Sequence, residues 1–238
     1  MTEVLDEERV KTGIRGFDGL VNGGIPRGNV VLVSGAAGSG KSLFCLEFIY
    51  HGARDFNEPG VYVTLEEFRD RFIYNAKKLG FVDVDALIGE GKMDVVRMEV
   101  FNLDRLVGSM EDLIDKYDAR RVVLDSVSVL SAFSEKPDMV RRGILDIANM
   151  LKRNNVTALF SCGVSAASGH NFGVSVEEYV VDGVVTLFNK ITDVQFVRAV
   201  GVVKMRGSSH SDFLHPVMIS GEGLAVLAGA AFPDNFRV

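Results

Sequence analysis

A chain of 238 residues, 47% hydrophobic and 24% charged, can bury one large core or at most two small ones. Its formal charge of −6, from 26 basic and 32 acidic residues, argues against a dominant electrostatic grip on nucleic acid, although a local basic loop fits within an acidic average. No apolar run approaches the roughly 18 residues of a bilayer span, MTEVLDEERV is unlike a signal peptide, and Cys45 and Cys162 sit in no CxxC or Cys/His cluster, so a cytosolic chain with no membrane partner, disulfide framework or structural zinc is expected.

Taken in chain order, β-branched apolar runs alternate with helical patterns, the rhythm of an α/β sheet. NVVLVS (29–34) reads as a buried strand, followed by a helix over 40–54 with Leu43, Cys45, Leu46 and Ile49 on its apolar face. GVYVTL (60–65) is the next strand and 67–79 the next helix. KMDVVRM (92–98) precedes a helix through Tyr117 marked by Leu103, Leu106, Val107, Met110, Leu113 and Ile114. RRVVLD (120–125), a helix marked by Val140, Ile144, Ile147, Ala148 and Leu151, and VTALFSC (156–162) complete the alternation. Strands at about 179–189, 196–204 and 215–220 then follow without helices, which predicts a parallel core extended by antiparallel strands. The small-residue stretch GVSAASGHNFGVS (163–175) is expected to be a mobile loop. No internal repeat and no long linker divides the chain, so residues 1–238 read as one domain.

The stretch between the first strand and helix, GAAGSGKS, satisfies G-x-x-x-x-G-K-[ST] in the setting that gives the pattern a mechanism. Glycines let successive backbone amides turn around a phosphate, and the helix N-terminus adds partial positive charge. The candidate nucleotide contacts are Gly35, Ala36, Ala37, Gly38, Ser39, Gly40, Lys41, Ser42 and Leu43. Lys41 is placed to reach the β- and γ-phosphates and Ser42 to ligand Mg²⁺. The competing reading is a glycine-rich turn before an amphipathic helix. Asp125, ending a buried strand, is the candidate second Mg²⁺ partner; by itself it would be a strand terminator or helix cap. Glu66 and Glu67 end the strand after the loop-bearing helix, where a carboxylate can position the attacking water, and Glu66 is also a candidate metal ligand. Either could instead open the next helix, and the two stay interchangeable at this level.

With TGIRGFDGLVNGGIPRG (12–28), GVYVTLEE (60–67), RRVVLDSVS (120–128), VRRGILDIANMLK (140–152), VEEYVVDGVVTL (176–187) and VVKMRGSSH (202–210), the chain resembles single-domain, KaiC-like members of the RecA/KaiC superfamily of P-loop ATPases over nearly its whole length. The resemblance implies a RecA-like fold, ATP and Mg²⁺ as ligands, catalytic glutamates after the strand that follows the loop helix, and a homohexameric ring with nucleotide between subunits. It also implies that Lys204 and Arg206 touch the γ-phosphate of a neighbour's nucleotide, and that His210 matches a position near the nucleotide, although a histidine in GSSHSD also reads as a turn residue. Only Ser161 in Ser161-Cys162-Gly163 can take the nucleotide-sensing place at the last core strand. Glu178-Tyr179 stands where the tandem clock protein has its phosphorylated Ser-Thr pair, which counts against autokinase activity.

The expected function is an Mg²⁺-dependent ATPase completed by self-assembly that acts as a switch for a protein partner. Two other classes compete. A DNA-binding recombination accessory would use 130–137 and 163–175 as strand-facing loops, but Lys136, His170, Phe133 and Phe172 make a thin stacking and phosphate-tracking surface. A scaffold gated by ATP with little turnover is the other, against which Lys41, Asp125 and both glutamates argue.

Overall fold

The structure is a computed structural model that describes residues 8–99, 102–133, 137–164, 180–191, 195–230 and 232. Two short antiparallel strands, β1 (Arg9–Val10) and β2 (Ile25–Pro26), precede the main sheet. They are too short to carry a periodic signal. The sheet itself consists of β3 (Val30–Gly35), β4 (Gly60–Thr64), β5 (Met93–Arg97), β6 (Arg121–Asp125), β7 (Thr157–Gly163), β8 (Gly183–Ile191), β9 (Phe196–Met205), β10 (His215–Ser220) and β11 (Gly223–Val226). Its helices are α1 (Lys41–Asp55), α2 (Arg69–Lys78), α3 (Val84–Gly89), α4 (Leu103–Tyr117) and α5 (Pro137–Arg153).

The nine strands lie in the order β11-β10-β9-β8-β3-β7-β6-β4-β5. Those from β8 to β5 in this order are parallel, whereas β9, β10 and β11 are added antiparallel. The expected α/β plan of a mainly parallel sheet with antiparallel strands at its C-terminal side is therefore present. Three details differ from the sequence reading. β8 begins at Gly183 and pairs parallel with β3, so it belongs to the parallel core. β11, whose four residues are all buried, and α3, which buries only Val84 and Leu87, were not foreseen because neither spans enough residues to show a period. From residue 165 the expected loop lies outside the described residues, as do Lys136 and Glu178-Tyr179.

Helices cover both faces of the sheet. One apolar cluster joins α1, α2 and α3 to it through Phe44, Phe48, Phe72, Ile73, Val84 and Leu87; the other joins α4 and α5 through Leu106, Met110, Ile114, Val140, Ile144 and Leu151. α1 buries every residue from Leu43 to Tyr50, beyond the single face expected from its sequence, because β11 covers the side that a surface helix would leave wet. Each large apolar side chain so buried contributes on the order of 2 kcal/mol.

That total burial traps Glu47, which is 2% exposed. Its carboxylate accepts a 2.5 Å hydrogen bond from the Leu224 amide of β11. Burial pushes its pKa up from 4.5 to about 7, against the opposing pull of that amide and of Arg15. Folding therefore takes up a proton between these two values, and stability falls as pH rises through that window. At about 1.4 kcal/mol per unit, the ionised form costs about 3 kcal/mol above pH 7. Glu47→Gln keeps the acceptor and removes the charge. Urea denaturation at pH 8 is expected to find the variant more stable by about 3 kcal/mol, with the wild-type decline between pH 4.5 and about 7 flattened; parallel pH profiles for the two proteins would contradict this.

Candidate nucleotide site

Parallel strands end their chains at one sheet edge, and the register gathers the chemistry there. Gly35 of β3 pairs with Gly163 of β7, Val33 with Ser161, and Thr64 of β4 with Asp125 of β6. The crevice outside the carboxyl ends of such strands is the ligand-binding edge of an open α/β sheet.

The glycine loop runs from Gly35 into α1. At Gly35 the backbone passes so close to β8 that a Cβ would lie 2.3 Å from the Leu187 carbonyl oxygen, and Gly40, at φ 103°, takes the N-cap position of α1. Ala37, Gly38 and Ser42 are exposed, while Ser39 is buried. The Ala36 carbonyl accepts two hydrogen bonds across the loop, from Lys41 Nζ at 3.0 Å and from the Ser39 amide at 3.3 Å. These are an ammonium and an inward-facing amide gathered on one oxygen, the donor set that a phosphate oxygen would draw. Ser39 Oγ, fully buried, has no hydrogen-bond partner among the described residues, so the loop also holds an unused polar group. Burial lowers the Lys41 pKa against the pull of Asp125 and Glu66, which places both carboxylates within electrostatic reach of the ammonium.

Asp125 sits at the centre of a compact polar chain. Tyr62 Oη donates to Asp125 Oδ2 and Ser161 Oγ to Asp125 Oδ1. The Ser42 hydroxyl lies against the same Tyr62 phenol, whose pKa is driven well up by burial and by the Asp125 charge. Ser42 and Asp125, the two candidate Mg²⁺ ligands, thus flank one tyrosine. Among the described residues no cluster of three or more His, Cys, Asp or Glu side chains stands close enough to cage a metal ion. A magnesium ion needs no such cage, since it is commonly held by one or two protein groups together with phosphates and water, and this donor set fits that pattern.

The structure separates the two glutamates that the sequence leaves equivalent. Neither lies in α2, which starts at Arg69; the Thr64 hydroxyl instead accepts from both of their amides, at 3.3 Å and 2.9 Å. Glu66 is exposed, and its carboxylate accepts from Ser126 Oγ at 2.9 Å, one residue beyond Asp125. Glu67 turns the other way, to Asn75 at 2.8 Å and Arg71 at 3.7 Å on α2. Glu66 therefore faces the loop side and Glu67 is held by the helix.

Lys204 and Arg206 stand elsewhere. Leu187, level with Gly35, pairs with Val200, whereas Lys204 pairs with Val184, four residues further along β9 or about 14 Å at ~3.4 Å per residue. Lys204 Nζ donates to the Val181 carbonyl at 2.8 Å, and Arg206 lies 3.6 Å from Asp182. Both are thus at the amino end of β3, away from their own loop. His210 Nδ1 lies 3.2 Å from the Ser211 carbonyl oxygen and 4.0 Å from Asp212, in the turn after β9.

Tyr62, Ser126, Asn189 and Arg198 join the site without having been foreseen. Tyr62 left a faint trace, a phenol in the middle of a buried apolar strand. Asn189 and Arg198, which reach the loop carbonyls, left none, because only cross-strand register brings them there.

The KaiC ATPase family model matches residues 10–231. The chain is 34% identical over 245 residues to the UPF0273 protein of Methanocaldococcus jannaschii, covering 96% of this chain and 98% of that one. It is 35% identical over 228 residues to the circadian clock oscillator protein KaiC of Synechococcus elongatus, covering 92% of this chain but only 44% of the relative's length. The crystal structure of a KaiC-like protein from Pyrococcus horikoshii superposes with a TM-score of 0.84 at 32% identity, covering 92% of this chain and 99% of that one.

Proposed function

Because the chain belongs to the KaiC ATPase family, with its RecA-like fold and P-loop, we propose that it is an Mg²⁺-dependent ATPase whose active site is shared between subunits of a homo-oligomer. The observation that carries this reading is the meeting of Lys41, Asp125, Ser161 and Glu66 beside the glycine loop at one sheet edge. The loop amides and the α1 N-terminus bind the phosphate tail, and Lys41 moves from the Ala36 carbonyl to a phosphate oxygen. Ser42 and Asp125 would hold Mg²⁺, which when bound would neutralise charge on the phosphates. Tyr62 and Ser161 fix the direction of the Asp125 carboxylate, which would present it to the metal. Glu66 orients the attacking water and accepts its proton, while Ser126 keeps the carboxylate beside Asp125.

Lys204 and Arg206 lie too far along β9 to serve their own loop, which supports a role at the neighbouring subunit's γ-phosphate. We read residues 1–238 as one ATPase domain, the ring as a hexamer on the family resemblance, the location as cytoplasmic, and hydrolysis as a switch for a protein partner. Calorimetric titration with Mg-ATP, followed by phosphate release on the same sample, tests the core of this reading. Saturable binding at one site per chain with measurable turnover is expected; a flat titration would defeat the proposal, and binding without any release would leave a scaffold.

A further inference from the structure

The β8–β9 hairpin reaches the glycine loop through a cross-strand pair. Asn189 on β8 and Arg198 on β9 are register partners. Arg198 Nε donates to the Gly38 carbonyl at 3.1 Å, and Asn189 Nδ2 donates to the Ala37 carbonyl at 3.4 Å. Resting on the nucleotide reading above, we propose that Asn189 and Arg198 are positioning residues that aim the loop amides inward and so set the affinity for the nucleotide's phosphates.

The reason is peptide geometry. In a planar trans peptide, the carbonyl of one residue and the N–H of the next point in opposite directions. Drawing the Ala37 carbonyl toward Asn189 turns the Gly38 amide away from the hairpin, and drawing the Gly38 carbonyl toward Arg198 does the same for the Ser39 amide. The second consequence is visible: the Ser39 amide reaches across the loop to the Ala36 carbonyl, the oxygen that Lys41 Nζ also holds. Outward carbonyls are tied to the hairpin, while an inward amide and an ammonium share an acceptor that a phosphate oxygen can replace.

An outside tie is needed because Gly38, at φ 73°, is in a region where glycine has many neighbouring conformations open to it. Loop amides free to rotate would spend much of their time aimed elsewhere, and phosphate binding would bear the cost of reorienting them. Arg198 makes its contact through Nε, part way along the side chain. The proposed role therefore needs a donor at that atom and makes no use of the positive charge.

That distinction sets the experiment. Glutamine carries an N–H the same number of bonds from the backbone as arginine Nε, and methionine fills similar space with no donor. Fluorescent N-methylanthraniloyl-ADP with Mg²⁺ is titrated into full-length wild type, Arg198→Gln, Arg198→Met, Asn189→Ala and Lys41→Ala, with a melting curve for each. Wild type is expected to bind and Lys41→Ala to lose binding. Arg198→Met and Asn189→Ala should each weaken binding about fivefold, the usual worth of one hydrogen bond, with Arg198→Gln within about twofold of wild type. With ATP, the two weakened variants should show a raised KM and a kcat changed much less. Should Arg198→Met melt early, Asn189→Ala carries the same test from the other strand. Arg198→Gln binding as poorly as Arg198→Met would overturn the proposal by assigning the effect to charge. Wild-type affinity in both Arg198→Met and Asn189→Ala would overturn it as well. A wild type that binds no nucleotide would reject the underlying reading along with it, an outcome distinct from the other two.

Discussion

Glu66→Gln is expected to leave Mg-ATP affinity within about twofold of wild type and to lower phosphate release by about 10²- to 10⁴-fold, the usual contribution of a positioned general base. Glutamine retains an oxygen that can accept from Ser126, so the strand end keeps its shape while the site loses the group that takes the water's proton. Glu67→Gln is the internal control. Its carboxylate is engaged with Asn75 and Arg71 on α2, and its loss should change turnover by no more than a few-fold. Single-turnover phosphate release on both variants separates the roles. A collapse of turnover in Glu67→Gln with Glu66→Gln near wild type would reverse the assignment, and unchanged turnover in both would remove a carboxylate base from the mechanism.

The second large effect concerns residues distant from their own loop. Arg206→Ala should lower turnover by about 10³-fold or more, the scale of an arginine finger, and Lys204→Ala should act in the same direction. Arg206 has a 60% exposed side chain 3.6 Å from the buried Asp182, whose carboxylate keeps Lys152 Nζ at 2.8 Å and the Val30 amide at 3.0 Å, so removing Arg206 leaves no buried charge unpaired and the fold should survive. The decisive measurement is a mixture. An Arg206→Ala subunit retains an intact loop, and a Lys41→Ala subunit retains an intact Arg206. In a randomly mixed equimolar ring, on the order of a quarter of the interfaces join the two good halves. Turnover in the mixture well above either pure variant is the expected result. A mixture as inactive as its components would place Arg206 outside the neighbour's site.

The phosphate loop was legible because its chemistry is local. Successive residues from Gly35 to Ser42 must all lie between a strand and a helix N-terminus, and both elements announce themselves by apolar period, so the motif and its setting are read together. The parallel core was legible for the same reason, since β3, β4, β6 and β7 are continuous apolar runs and α4 and α5 carry amphipathic stripes. Asp125 followed from its place at the end of such a run. What could not be read were elements too short for a period, such as β11, and every contact made across strands.

The amino-acid sequence by itself determined that this chain builds a sheet edge with a glycine loop, a lysine, a hydroxyl and three carboxylates ending its strands, and with this the class of ligand. Tertiary structure alone decided that Glu66 lies beside Ser126 while Glu67 turns to α2, that Tyr62 and Ser161 hold Asp125, that β11 closes over α1 and traps Glu47, and that Asn189 and Arg198 tie down the loop. The physical reason is the range of the information. Backbone conformation is set by a residue and its near neighbours along the chain, whereas the direction of a side chain at a strand end depends on which donor the adjoining strand or helix presents, and that partner is chosen by register across tens to more than a hundred residues of sequence.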